Sequence, residues 1–237
     1  MKNILNVKPD LELNARLKFS NDLVDNRDIE NKKILDVGCG FGWFELNALK
    51  KGVQEIAGIE ISALDLKPAR ENIKDKRAVF KIGGVLNAPF KDNYFDTVVA
   101  WEVIEHIPKN TEDKMFKEVK RVLKKNGAFY LSTPYDSFVS KYLDPAWWLI
   151  GHRHYSKDQL IKFGDKQGFK ISEIYIKGGF WNLINVLNMY ISKWIFRRKQ
   201  FFEEELSKRE EKEFKKEGFM GIFVKYQKKL KQQKALF

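Results

Sequence analysis

Short apolar runs alternate with amphipathic patterns along most of this chain. Runs rich in branched and aromatic residues predict five strands, at 33–37, 54–60, 78–82, 95–101 and 127–133. Between them, apolar residues three and four positions apart predict helices near 43–51, 64–75 and 111–125. This alternation is typical of an α/β domain, in which crossovers connect the parallel strands of a doubly wound sheet.

Further elements are predicted on both sides of this alternating region. Residues 11–25 form an amphipathic lead-in pattern, and residues 169–177 and 220–227 alternate as two more strands. Ser156 and Gln159 form a capping box, which predicts a helix that ends at Gly168. We expect a single domain without repeats, divided into a lead-in (1–29), a ligand-binding core (30–177), a helical insertion (178–218), and a last strand with a basic tail (219–237).

The insertion begins with an amphipathic pattern over residues 180–196. Asn182, Asn185, Asn188 and Ser192 share one side of the predicted helix, and an apolar arc that includes Tyr190 and Trp194 occupies the other. Its polar residues make it a poor transmembrane helix. The arc fits a lid, a dimer interface or, with the basic residues at 197–199, docking at a membrane surface. The highly charged residues 203–217 predict a solvated helix.

A glycine-rich loop follows the first predicted strand. Its sequence is Asp36-Val37-Gly38-Cys39-Gly40-Phe41-Gly42, and Glu60 ends the next strand. Glycines let the backbone turn tightly and approach a ligand, and the helix that follows would point its amides at the same place. A carboxylate at the position of Glu60 can accept hydrogen bonds from both hydroxyls of a ribose. The pattern therefore predicts a site for an adenosine-containing ligand.

The glycine spacing distinguishes among such ligands. A dinucleotide loop reads G-x-G-x-x-G, whereas this loop reads G-x-G-x-G, and the phosphate-loop signature G-x-x-x-x-G-K-[ST] is absent from the sequence. The loop instead resembles the first motif of the class I S-adenosylmethionine-dependent methyltransferases. The resemblance implies S-adenosylmethionine as cofactor and a seven-stranded, mostly parallel sheet, with an antiparallel last strand inserted beside the fifth.

The resemblance also implies roles for individual residues. Asp36, Gly38 and Gly40 would hold the methionine and ribose part of the cofactor, Glu60 the ribose hydroxyls, and Trp101 would help to close the site. Ile61 would pack on the adenine, with Gly84 and Val85 along its edge. Gly84 departs from the family pattern, because members commonly have an acidic residue there that binds the adenine amino group. Backbone at Val85 or the side chain of Asn87 would have to replace that contact.

A second motif follows the fourth predicted strand. Trp101-Glu102-Val103-Ile104-Glu105-His106 is similar to the E-V-x-E-H segment of small-molecule methyltransferases related to quinone biosynthesis. The [DNS]-P-P-[YFW] motif of many DNA and protein N-methyltransferases is absent at this place. We therefore expect transfer to an oxygen of a small or lipid-linked acceptor. His106 is the candidate base because imidazole titrates near neutral pH, although it can equally shape the loop. Glu102 is a candidate for binding the acceptor.

An aromatic segment at 142–155 predicts part of an acceptor pocket. Its candidate contacts are Trp147, Trp148, His152, His154 and Tyr155, with Arg153 also available to a polar acceptor. His152 and His154 have a spacing compatible with metal ligation, but further ligands are not evident in the sequence, so we expect no metal.

Composition limits the other function classes. Hydrophobic residues make up 43% of 237 residues, enough for one substantial core, and the single Cys39 suits a cytoplasmic protein without disulfides. The net charge of +12 is concentrated after residue 190, where 14 Lys and Arg face 7 Glu. This distribution argues against a nucleic-acid groove across the core. An RNA methyltransferase or a non-catalytic cofactor-binding subunit are the alternatives, and peripheral membrane contact is left open.

Overall fold

Seven strands form one sheet in the computed structural model, which describes residues 13–229. The strands are β1 (Lys33–Val37), β2 (Glu55–Glu60), β3 (Ala78–Ile82), β4 (Phe95–Trp101), β5 (Leu123–Pro134), β6 (Phe169–Lys177) and β7 (Gly221–Lys228). Their order in the sheet is β3-β2-β1-β4-β5-β7-β6, and β7 pairs antiparallel with both of its neighbours. This order confirms the expected fold class.

Nine α-helices in this part of the chain cover the two faces and one edge of the sheet. They are α1 (Ala15–Leu23), α2 (Trp43–Lys50), α3 (Ala63–Asn72), α4 (Glu112–Val122), α5 (Phe138–Leu143), α6 (Pro145–Ile150), α7 (Lys157–Lys166), α8 (Phe180–Tyr190) and α9 (Glu203–Glu213). A 3₁₀ turn at Asn26–Asp28 precedes β1, and a π-helical turn at Ile191–Ile195 continues α8. The predicted capping box of Ser156 and Gln159 is present at the start of α7.

Alternation along the strands builds a separate core on each face of the sheet. In β1, Leu35 and Val37 pack into the cluster that contains Met115 and Phe116 of α4. Ile34 faces the other cluster, with the helices that precede β2. Successive side chains of a strand point to opposite faces, so a strand covered on both sides reads as a continuous apolar run.

The structure corrects two predicted boundaries. The helix expected to end at residue 125 ends at Val122, because Leu123 already pairs with Phe95 in the sheet. Asn126 then adopts a left-handed conformation (φ 58°) within the long strand β5. The lead-in helix begins at Ala15, and positions 11 and 12 of its predicted span lie outside the described residues.

The segment between β6 and β7 differs most from expectation. The amphipathic helix changes to π-helical geometry at Ile191 rather than continuing to residue 196. The prediction of a fully solvated charged helix was wrong for one face of α9, because Glu210 and the adjoining Phe214 are buried. None of the helices within residues 13–229 has the length and apolar character needed to span a bilayer.

Candidate active site

The glycine loop lies where the order of the parallel strands reverses. β1 has β2 on one side and β4 on the other, and open α/β sheets bind ligands at this switch point, outside the carboxyl ends of the strands. Gly38, Gly40 and Gly42 all have positive φ angles, between 50° and 89°. A Cβ at Gly40 would meet nothing within 4 Å, so bare backbone faces open space there. This opening is the cradle that an adenosine cofactor requires.

Glu60 connects the loop with the end of β2. Its Oε2 accepts a hydrogen bond from the Gly40 amide at 3.3 Å, and its Oε1 accepts one from the Ile61 amide at 2.8 Å. These backbone donors fix the carboxylate beside the cradle. Each carboxylate oxygen can accept more than one hydrogen bond, which leaves capacity for the hydroxyls of a ribose.

Two buried carboxyl groups lie beneath the loop. Neither oxygen of Asp36 or of Glu45 on α2 has a hydrogen-bond donor among residues 13–229. Burial raises the pKa of both groups, that of Glu45 to about 8, and the negative charge of Glu45 raises that of Asp36 further. A proton retained by this pair supplies a donor that the surrounding protein lacks. Glu45 was not among the predicted site residues.

The predicted adenine contacts surround the end of β3. The Ile61 side chain is 77% exposed, which leaves an apolar surface open beside Glu60. A Cβ at Gly84 would lie 3.1 Å from Cγ2 of Ile61, so Ile61 partly occupies the space into which a family-type acidic side chain would extend. The side chain of Val85 is buried in the core, and only its backbone is available to a ligand.

The end of β4 supplies another side of the site. Trp101 is buried against Phe44, with 6.1 Å between ring centroids, and its indole N–H has no partner in the part of the chain that the structure describes. Glu102 adopts a left-handed conformation (φ 56°), which is strained for a residue with a side chain. Its carboxylate accepts a hydrogen bond from Ser132 at 2.7 Å and pairs with Arg16 of α1 at 2.8 Å. The lead-in helix therefore reaches the site, a contact that no sequence signal indicated.

His106 projects from the loop after β4 and meets a second imidazole. The rings of His106 and His152 are perpendicular, with centroids 4.3 Å apart. Partial burial lowers the pKa of His106, although the nearby Glu102 carboxylate opposes this shift. The pKa of His152 is lowered by burial as well, and then by the proximity of His106. Both rings therefore favour the neutral state, in which an imidazole can accept a proton.

Arg153 holds the loop that carries His106. Its guanidinium donates to the backbone carbonyls of Ile104 at 2.6 Å and Ile107 at 2.5 Å, and more weakly to that of Glu105 at 3.3 Å. It also pairs with Glu112 at the start of α4. The structure thus corrects the expectation that Arg153 is available to an acceptor, because its donors are already used within the protein.

The remaining predicted acceptor residues are divided between two places. Tyr155 is buried, and its hydroxyl can donate its one proton to the Glu112 carboxylate at 3.0 Å or to the Ile104 carbonyl at 3.1 Å, so it supports the same loop. His154 bonds Asp144 through Nε2 at 3.1 Å and stacks on Trp147, whereas Trp148 is exposed. Trp147, His154 and Tyr155 line a cavity of about 420 Å³ that contains none of the predicted cofactor-binding residues. Direct contacts of these side chains with an acceptor stay predictions.

The histidines do not combine into a metal site. Among residues 13–229, no group of three or more His, Cys, Asp and Glu side chains is placed to hold a metal ion. His152 faces His106 and His154 faces Asp144.

Known proteins resemble this chain over the region that forms the site. Residues 35–131 match the model of a family described as a methyltransferase domain. A norajmaline N-methyltransferase of Rauvolfia serpentina is 32% identical over 114 residues, which are 46% of this chain and 38% of that protein. A ubiquinone biosynthesis O-methyltransferase of Pelagibacter ubique is 31% identical over 111 residues, 46% of this chain and 44% of its own length. The chain thus spans less than half the length of these relatives.

The fold comparison extends over nearly the whole chain. A solved S-adenosylmethionine-dependent methyltransferase from Mesorhizobium loti superposes with a TM-score of 0.65, at 17% identity, over 92% of this chain and 100% of the other. Relatives at similar identity also include sterol 24-C-methyltransferases and tRNA carboxymethyltransferases, so the family does not specify the acceptor. Residues 35–131, less than half of the chain, thus match a methyltransferase domain, and the described residues have the fold of the class I S-adenosylmethionine-dependent methyltransferases.

Proposed function

We propose that this protein transfers the methyl group of S-adenosylmethionine to an oxygen of a small-molecule or lipid-linked acceptor. The observation that carries the proposal is that His106, after β4, shares the carboxyl edge of the sheet with the glycine cradle and with Glu60. Cofactor residues and a proton acceptor are thereby brought to one place.

The residues present fit the cofactor. Gly38 and Gly40 would place backbone against its methionine and ribose, Glu60 would bind the ribose hydroxyls, and Ile61 and the backbone at 84–85 would contact the adenine. When bound, the cofactor supplies a methyl group that is already electrophilic. The task of the protein is then to orient an acceptor atom in line with that group and to exclude competing water.

An oxygen acceptor explains the imidazole pair. A hydroxyl must lose its proton as it is methylated, whereas an amine can react as the free base. His106 can take that proton because its lowered pKa keeps the ring neutral near pH 7. Among the relatives, tocopherol and ubiquinone-biosynthesis enzymes are O-methyltransferases by name, which supports the same acceptor class.

The acceptor would lie beside His106 and the segment 142–155. His152, next to His106, and the aromatic Trp147 and Trp148 are the side chains that we assign to it, and Glu102 would bind a polar group of the acceptor or hold Arg16 across the opening. The single cysteine supports a cytoplasmic location for the reaction.

The cofactor assignment can be tested by calorimetry. Replacing Glu60 with Ala should weaken binding of S-adenosylmethionine and of its demethylated product by about 10- to 100-fold, since charge-assisted hydrogen bonds to the ribose are lost. The matched control is Glu71→Ala, which removes an exposed carboxylate on α3 that pairs with Lys67. Equal affinities of the two variants would contradict the ribose assignment.

The acceptor class needs a separate experiment. The protein is incubated with methyl-labelled cofactor and with separated lipid, water-soluble and RNA fractions of cells. We expect label in a lipid or small phenolic compound, in a bond stable to mild base as an ether is. Label in RNA, or in an amine, would overturn the proposed acceptor.

A further inference from the structure

The first helix of the insertion turns its polar side toward the protein. The Asn182 and Asn185 amides donate to the buried Glu210 carboxylate at 2.5 and 2.6 Å, and the Asn188 amide donates to the Phe201 carbonyl at 2.7 Å. The apolar side is less enclosed than that of an ordinary surface helix. Of the α8 side chains described, only that of Leu183 is buried, and those of Ile184, Val186 and Leu187 are half-buried.

The end of the insertion exposes large apolar side chains. We call residues 191–202 the apolar tip. Within it, Trp194 is 56% exposed, Ile195 69%, Phe196 56% and Phe202 80%. Arg197 and Phe202 both have a φ angle of 49°, a conformation that costs energy for residues of this size. Exposed apolar side chains on a strained backbone indicate a surface that binds another molecule.

The charges of the apolar tip are all positive. Lys193, Arg197, Arg198 and Lys199 fall within residues 191–202, which contain no acidic residue. Of the acidic residues that open α9, Glu204 and Glu205 are paired along their own helix with Lys208 and Arg209. Tryptophan at an interface beside a cluster of arginine and lysine is the composition that binds anionic bilayer surfaces.

A second aromatic group lies on the helices next to α8. Phe138, Tyr142 and Trp148 are exposed on α5 and α6, and the Trp148 indole donates to the Tyr142 carbonyl at 3.1 Å. α6 packs against α8, the helix that leads to the tip. α5 follows β5 and α8 follows β6, and these two strands run in the same direction, so α5 and the start of α8 lie at the edge of the sheet that carries the site.

We propose that the apolar tip docks this protein on an anionic lipid bilayer, with the active-site edge of the sheet facing the membrane. A lipid occupant is favoured over a second copy of the chain because a symmetric dimer would bring two identical basic clusters to one interface. The inference that the protein docks on a bilayer depends only on these surface features. The further inference that docking gives access to a membrane-embedded acceptor rests on the proposed function.

Vesicle flotation tests docking without cofactor or acceptor. Full-length protein is mixed with vesicles of phosphatidylcholine, with and without 30% phosphatidylglycerol as an anionic component. We expect binding to the anionic vesicles only. Trp194→Ser/Ile195→Ser should reduce the bound fraction about tenfold, whereas Val79→Ser, on the edge strand β3 and 39% exposed, should not.

The positive charges are tested with a second pair of variants. Arg197→Gln/Arg198→Gln should reduce the bound fraction about tenfold or more, whereas Lys215→Gln/Lys216→Gln, after α9, should have a smaller effect.

Three outcomes would overturn docking. The first is an absence of wild-type binding to anionic vesicles, and the second is equal loss in the tip variants and their controls. The third is a wild-type dimer in light scattering that Trp194→Ser/Ile195→Ser dissociates, without vesicle binding. Cofactor affinity, measured on the same variants, should equal that of wild type. A failure of docking is thus separate from a failure of the methyltransferase proposal.

Discussion

The neighbours of His106, on the loop after β4, change the pKa of its imidazole. Its ring lies against His152, and its backbone amide donates to the Val103 carbonyl at 3.0 Å, which fixes the turn after β4. Partial burial penalises the charged imidazolium, and the positive Arg153 adds to this effect, while Glu102 opposes it. The balance lowers the pKa, so the neutral ring persists to lower pH than a solvated histidine would allow.

The pH dependence of the reaction follows from this shift. Because the neutral form accepts the proton, kcat should be constant at neutral pH and fall only below about pH 6.5, the ordinary value for histidine. His106→Gln should lower kcat by about 10²- to 10⁴-fold and remove this acid limb. The variant must retain wild-type cofactor affinity to show that the site is intact. An unchanged rate would leave His106 with only a structural role.

At the scale of elements, the loop after β4 is held by a residue distant in sequence. Three of its carbonyls accept hydrogen bonds from the guanidinium of Arg153. Tyr155 and Glu112 complete this arrangement and tie the loop to α4 and to the start of α7. Arg153 is thus a positioning residue, whose planar guanidinium suits several acceptors at once.

Arg153→Met tests whether Arg153 positions the loop after β4 and lowers the pKa of His106. It removes the guanidinium donors from the loop carbonyls and from Glu112, which keep at most the single donor of Tyr155, at a cost of about 2–4 kcal/mol in the free energy of unfolding. Since the charge of Arg153 contributes to the lowered pKa of His106, the acid limb of kcat should also move to higher pH. Arg153→Lys keeps the positive charge but not the planar guanidinium. This variant should therefore have a lower free energy of unfolding, while the acid limb of kcat stays at the wild-type pH. Identical pH profiles in wild type and the Met variant would refute this role.

At the scale of the whole molecule, buried carboxyl groups occur in both halves of the structure. Asp36 and Glu45 lie under the glycine loop, Glu105 belongs to the loop that carries His106, and Glu210 is on the side of α9 that faces α8. Burial raises the pKa of all four groups above its ordinary value. The folded state therefore holds protons that the unfolded chain releases.

Stability should consequently decline as the pH rises. The protonated groups contribute fully below their unfolded pKa values, near 4 to 4.5, and the contribution is lost as the pH rises through the folded values, that of Glu45 being about 8. We expect the free energy of unfolding in urea to be higher at pH 6 than at pH 9 by about 2 kcal/mol or more. Glu45→Gln should flatten part of this slope, whereas Glu71→Gln on the exposed face of α3 should not. A slope that is equal in both variants would exclude Glu45 as a contributor.

Several elements of the structure could be predicted from local sequence patterns. Strand β1, the glycine loop and the capping box before α7 were predicted from sequence and confirmed, because each depends on neighbours within a few residues. The family resemblance, the expected fold and the expected cofactor followed from motifs of the same kind. The end of α4 was misplaced because the pairing of Leu123 with Phe95 outweighed local helical preference.

Sequence by itself determined the elements, the cofactor cradle and the candidate base, since these lie in continuous segments with characteristic spacing. Only the tertiary structure decided which distant residues meet: Arg16 with Glu102, Arg153 with the loop after β4, and the nearly buried Lys225 with Asp28 at 3.1 Å. It also decided that the asparagine side of α8 faces α9. The physical reason is that periodicity shows that a helix has two faces, whereas the orientation depends on partners such as Glu210 that only folding brings near.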